Sequence, residues 1–426
     1  MIRFNRMISI LIITLFLGGI LSSCYDRREI DDLAYIISIG IDKGKTNKLK
    51  MTLQIAVPKA IGGNGGGGGE GGNEAVEMVT LETPTIYSGM NMANNLVSRQ
   101  LNISHTKLMV FSKEFAKEGM QDIINALPRG REARPSLYIA VSKGSAEEFI
   151  KAVNPKIEVN PAKYYELMFQ SHKYTAFTAR SDFYRFYTGM KALYTQPVAI
   201  LAGVNRYESS GDFDVAHSSA GEKGRVQPLE GDFKAGSIPR ESKLKSEIMG
   251  LAVFKGGKMV GELDGEETTF YTMVTGEFNR AFITIHDPIE KEKFVILDTK
   301  KSRRPQYKVE VKDNKPHITV RIKLEADIQV IQSGRNYEDT ENTGILEEAY
   351  EGYVREGVAR FLNRTAKEFE SDICGFGKEV KAKMLTWEQW HDYRWLEKYK
   401  DSSFEVEVDL KIRRPGLVIR SSPIEK

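Results

Sequence analysis

Arg3 and Arg6 precede an apolar run from about Met7 to Ile20, and the run ends in Leu21-Ser22-Ser23-Cys24. That order of charge, apolar core and small residues is the pattern of a secretory signal peptide. The run is a little short for a membrane-spanning helix, which needs about 20 apolar residues. Leucine three places before a cysteine, with two serines between, forms a lipobox. The small side chains let an extended chain enter a peptidase, and the Cys24 thiol is the nucleophile that accepts diacylglycerol. The sequence therefore predicts cleavage after residue 23 and lipidation of Cys24. It predicts a body folded outside the cytoplasm and held at a membrane surface. Two acyl chains, at about 0.8 kcal/mol per buried CH₂, suffice to hold it there. The diacylglycerol thioether and an N-acyl chain on Cys24 are the only prosthetic chemistry expected, with no metal and no other cofactor.

This origin limits what the mature chain can fold into. Its one other cysteine is Cys374, so no disulfide forms within it and no paired-cysteine metal site is available. A body without covalent staples must be large enough to build its own core. At 426 residues and 41% hydrophobic content it is, and the length suggests two or three domains. Loss of Arg3 and Arg6 with the leader takes the formal charge from +3 to +1. A near-neutral body gives no electrostatic case for a nucleic-acid partner.

Tyr25 to Ile30 reads as a polar lead-in. Leu33–Asp42 and Leu49–Val57 read as neighbouring strands, and residues 62–72, GGNGGGGGEGG, as a flexible loop. A phosphate-cradling loop would need Lys-Ser or Lys-Thr after the glycines and a helix behind them, and neither is present. Strands are expected at Glu77–Glu82, Lys107–Phe111 and Leu137–Val141. Helices are expected over Tyr87–Leu101 and Phe115–Leu127 and from Ser145. The alternation predicts a mixed sheet. Aromatic residues between Tyr164 and Tyr187 fall at helical spacing and read as core. After a strand at Gln196–Leu201, residues 207–240 look like a surface excursion. A hairpin follows, Ile248–Phe254 and Met259–Leu263 around Gly256-Gly257, and then a helix start at Asp264. Strand-like runs between Ala281 and Ile331 suggest an antiparallel sheet. Ile345 to Phe369 carries one apolar stripe at helical period, to be laid on a sheet. Trp387, Trp390 and Trp395 read as core, and Phe404–Ile412 as a closing strand.

Catalytic patterns are sparse. None of the six histidines stands in an H-E-x-x-H spacing, and there is no G-x-S-x-G turn. Glu266-Glu267 and Glu347-Glu348 read as solvated helix faces. Gly375-Phe376-Gly377 reads as a tight turn. No catalytic residue is assigned.

Five short elements, in order, carry a resemblance. They are Cys24-Tyr25-Asp26-Arg27-Arg28-Glu29-Ile30; Gly40-Ile41-Asp42-Lys43; Gly250-Leu251-Ala252-Val253-Phe254 with Gly261; Asp372-Ile373-Cys374-Gly375-Phe376-Gly377 with Trp387; and Ile412-Arg413-Arg414-Pro415-Gly416. Together the chain resembles the Ger(x)C spore germination lipoproteins, the C subunits of germinant receptors. Tyr25 stands where that family usually has tryptophan. The resemblance implies an α+β fold of three mixed α/β domains after the leader 1–23, each a β-sheet flanked by helices, over residues 24–190, 191–278 and 279–426. It implies membrane-embedded A and B subunits as partners. The location implied is the outer face of the cell membrane, the inner membrane of the spore. It implies no catalytic residues. A solute-binding lipoprotein of a transporter is the alternative, and it would show a two-lobed body around a deep cleft.

Overall fold

The computed structural model describes residues 2–21, 32–57, 76–130, 132–154, 157–158, 160–205 and 227–414. Cys24, the glycine run 62–72, most of the 207–240 excursion and Pro415-Gly416 lie outside them. Helix α1 (Ile2–Leu21) takes in the apolar run and the arginines before it. Its described apolar side chains, among them Phe4, Met7, Ile10 and Phe16, are exposed. No helix among the described residues is long and apolar enough to cross a membrane.

The first sheet has nine strands: β1 (Leu33–Lys43), β2 (Leu49–Ala56), β3 (Val76–Thr83), β4 (Gln100–Asn102), β5 (Leu108–Ser112), β6 (Tyr138–Ser142), β7 (Val198–Val204), β8 (Ser246–Lys255) and β9 (Lys258–Leu263). Their order is β3-β2-β1-β5-β6-β7-β8-β9, with β4 beside the first residues of β1. The central strands β1, β5, β6 and β7 are parallel, and antiparallel pairs close both sides. Helices α2 (Ile86–Ala93), α3 (Lys113–Glu118), α4 (Gln121–Ala126) and α7 (Phe183–Lys191) cover one face; α5 (Ala146–Ala152), α6 (Pro161–Phe169) and α8 (Gly265–Thr275) cover the other. Ile36, Ile39 and Ile41 therefore enter one core and Ile37 the other. This is why β1, LAYIISIGIDK, is apolar almost throughout instead of alternating.

Two expected helices are shorter than their apolar patterns. The Tyr87–Leu101 pattern is helical only to Ala93. The Asn94 side chain accepts the Leu101 N–H, and the chain turns into β4. The Phe115–Leu127 pattern splits at Gly119, whose φ of 131° no helix accommodates.

The second sheet holds β10 (Arg280–His286), β11 (Phe294–Lys301), β12 (Gln306–Lys312), β13 (Lys315–Ile331) and β14 (Ser403–Arg414). β13, 17 residues long, organises it. β12 and β11 lie end to end along one edge of β13, both antiparallel, and β14 runs parallel along the other. The parallel pairing requires a crossover. It is supplied by α9 (Thr340–Lys367), α10 (Gly377–Lys381), α11 (Trp387–Tyr393) and α12 (Trp395–Lys398). α9 buries Leu346, Tyr350, Val354, Val358 and Leu362 completely. Its Glu351 and Glu347 accept the backbone N–H of Leu410 and Ile412 on β14. The opposite face of the sheet is open, with pairs such as Arg321–Glu407 and Lys323–Asp409 running across β13 and β14.

The α+β class, with sheets flanked by helices, is what the structure shows. The described residues form two sheets, however, where three were expected. Residues 191–278 build no sheet of their own: β7, β8 and β9 extend the first one. One apolar cluster then runs from that sheet through Phe270, Met273 and Val274 of α8 to α9 and the second sheet.

Candidate functional site: the seam and its motifs

Asp42 closes β1, and its carboxylate accepts the N–H of Ala146 at 2.8 Å and of Glu147 at 3.0 Å. These are unpaired donors at the first turn of α5. Burial pushes the Asp42 carboxyl up, and the two backbone donors pull it back. Two residues earlier, a Cβ on Gly40 would stand 2.9 Å from Ile150 Cδ1 and 3.3 Å from Ala146 Cβ. The G-x-D element thus seats α5 on β1.

Gly250 and Gly261 belong to the β8–β9 hairpin. Gly250 has φ of 87°, and a Cβ there would meet the Leu263 carbonyl oxygen at 2.3 Å. A Cβ on Gly261 would stand 2.1 Å from the Phe369 ring. Phe254 is fully buried, edge-on to Phe186 at 4.9 Å. This motif holds the rim of the first sheet against the chain that leaves α9.

At the seam, Asp264 caps α8 and forms a reciprocal capping box with Glu267. Glu266 and Glu267, expected on a solvated face, are 4% and 8% exposed. Tyr353 Oη donates to Glu266 at 2.7 Å, and Arg364 Nη1 donates to both Glu267 oxygens at 2.6 and 2.7 Å. Burial pushes the Glu267 carboxyl up against the pull of Arg364. The D-x-x-E spacing of Asp264 and Glu267 was the available sign of a helix cap; nothing in the sequence marks Tyr353 and Arg364 as their partners. A Cβ on Gly357 would stand 2.1 Å from the Phe270 ring, so the α8–α9 approach is a glycine contact.

Asp372 gathers the last motif. Its carboxylate accepts the N–H of Gly375, Phe376 and Gly377 and the indole N–H of Trp395, at 2.7–3.2 Å. Burial raises its pKa to about 6, against those four donors. The Asp372 carbonyl takes the Gln196 N–H just before β7. The tight turn expected at Gly375-Phe376-Gly377 is present, with Gly375 at φ of 79°. Trp390 and Trp395 are core, as expected, whereas Trp387 is 61% exposed. Cys374 is a half-buried free thiol that burial pushes well up.

The structure does not bring the singled-out residues into one cleft. The described motif carboxylates Asp42 and Asp372 already accept donors from their own chain, and Gly40, Gly250, Gly261 and Gly377 mark close approaches. No group of three or more His, Cys, Asp or Glu placed to hold a metal occurs among the described residues. What the arrangement does is lock two sheets into one body.

A model described as the spore germination protein N-terminal domain matches residues 26–203. One described as spore germination B3/GerAC like, C-terminal, matches residues 249–416. The division between them falls inside the first sheet, between β7 and β8. Spore germination protein GerQC of Bacillus cereus is 21% identical, over 97% of this chain and 99% of its own length. Spore germination protein KC of Bacillus subtilis is 24% identical over 95% of each. The crystal structure of the GerBC protein superposes with a TM-score of 0.52 at 15% identity, covering 88% of this chain and 96% of that one, which is a likeness of fold. Two family models in sequence order, relatives matched almost end to end and a shared fold make this chain a member of the Ger(x)C spore germination family, the family of germinant receptor C subunits.

Proposed function

We propose that this chain is the lipid-anchored, non-catalytic C subunit of a nutrient germinant receptor. Diacylglycerol on Cys24 holds it on the outer face of the cell membrane, the inner membrane of the spore, beside membrane-embedded A and B subunits. There it supports assembly of the receptor and its response to germinant. The observation that carries this reading is the span of the family match, which begins at residue 26, two places after the lipobox cysteine, and runs to residue 416. The motifs inside that span fix backbone and pack helices, as a scaffold requires.

Replacement of Cys24 by alanine tests the anchor. The variant is expected to take up no labelled palmitate, to keep its leader and to germinate poorly. Palmitate still entering the variant overturns the assignment. Co-purification with crosslink mapping from spores tests the partners and is expected to recover both membrane subunits. Tight calorimetric binding of an amino acid or sugar by the purified chain alone would favour a solute-binding role instead.

A further inference from the structure

The parallel strands β1, β5, β6 and β7 all begin at one end of the first sheet. The described body also starts there, at Leu33 of β1. β4 begins beside it, Leu33 opposite Gln100, and Leu96 just before β4 is 67% exposed. Three strands across, Leu193 and Tyr194 lead into β7, and Leu193 is 42% exposed. A Cβ on Gly377 would meet the Tyr194 carbonyl oxygen at 2.8 Å, so α10 hangs from this same end. The loop after α10 carries Leu385, 92% exposed, and leads into Trp387, the first residue of α11, 61% exposed. Lys381 Nζ stands 5.2 Å from the Trp387 ring and 5.7 Å from the Tyr194 ring.

Buried large apolar residues need no further partner; a leucine and a tryptophan offered together at a loop tip do. Tryptophan has an apolar ring and a polar N–H, and it concentrates at the level of lipid headgroups. A lysine over its ring supplies a cation for phosphate at that level. Residues 378–394 carry four Lys or Arg and three Asp or Glu. The fit is therefore shallow apolar insertion with local cationic support, not attraction by bulk charge. The nine residues from Cys24 to Leu33 reach at most about 30 Å. A lipid on Cys24 thus holds this end within about 30 Å of the bilayer surface.

We infer that the Leu385–Trp387 loop, with Lys381 and Leu193 beside it, is a second membrane contact that inserts into the headgroup layer and sets the orientation of the tethered body. This rests on the proposed anchor at Cys24. With both contacts made, the β1 end of the first sheet faces the lipid.

The test uses the full lipidated chain in vesicles of phosphatidylcholine and phosphatidylglycerol whose acyl chains carry bromine near the headgroup. Trp390 and Trp395 are 3% and 1% exposed, so quenching by the bromolipid reports on Trp387. The expected result is flotation with the vesicles and loss of about a third of the tryptophan emission, the share of one indole in three. Trp387→Phe should abolish the quenching, and Leu385→Asp should reduce it severalfold, both leaving flotation intact. Flotation without quenching overturns the loop contact and leaves the anchor standing. Failure to float overturns both. Shielding of Trp387 from aqueous iodide only after the membrane subunits are added assigns the loop to a protein partner and also overturns the proposal.

Discussion

The two sheets of this protein are built on opposite economies. The first is covered on both faces, so neighbouring residues of one strand, Ile36 and Ile37, enter different cores. The second is covered on one face by α9, and β14 alternates buried Leu410 with exposed Asp409. A doubly covered sheet has no neutral positions. A singly covered one has a neutral position at every second residue. The seam between them, where Glu266 and Glu267 are buried against a half-buried Arg364, behaves like neither, because its cohesion depends on polar groups that must stay paired.

The largest effects should appear where this contrast is drawn most sharply. Ile36→Ala and Ile37→Ala should each lower stability by about 2–4 kcal/mol, because each leaves a cavity in a packed core. In β14, Leu410→Ala should cost about as much, while Asp409→Ala beside it should leave the denaturation midpoint unchanged. Equal losses at Asp409 and Leu410 would erase the distinction between the sheets. Next comes the seam: Arg364→Met should cost about 2–3 kcal/mol by leaving Glu267 buried without its cation, and adding Glu267→Gln should restore much of the loss. A double mutant no more stable than the single would show that the pair holds nothing together.

A smaller effect is a pH slope. The Asp372 carboxyl is raised from 3.8 to about 6 by burial, so between those values the folded chain holds the proton more firmly than the unfolded chain. Stability from this group should rise as pH falls from about 6 to about 4 and stay flat outside that window. Denaturant titrations of the protein and of Asp372→Asn should differ by that slope. Smallest of all, Arg321→Ala breaks an exposed pair with Glu407 and should shift nothing measurable, at low or high salt.

These expectations also mark what the sequence discloses. Strand positions, the α9 stripe and the burial of Trp390 and Trp395 follow from local pattern, and the structure has them. The membership of β7, β8 and β9 in the first sheet does not, because a pairing such as Ala140 with Ile200, far apart in sequence, leaves no local trace. The helices at Tyr87 and Phe115 are read too long, since Asn94 and Gly119 end them through a side-chain contact and a backbone angle that apolar period does not encode. Glu266-Glu267 is misread for a related reason: two adjacent acids look solvated unless Tyr353 and Arg364, about 90 residues away in sequence, are known to face them. The motif residues Asp42, Gly250 and Asp372 stand out in the sequence, but their roles as a helix cap, a positive-φ position within β8 and a hub for four donors appear only in three dimensions.

The two glutamates that α9 lays along β14 have one more consequence. An outermost strand ordinarily offers a row of free N–H groups on which a foreign strand can grow. Here Glu351 and Glu347 already occupy those of Leu410 and Ile412. Recruitment by extending the sheet is closed over the Leu410–Ile412 stretch of this border, and a protein that grips the body there must read side chains rather than continue its hydrogen-bond ladder.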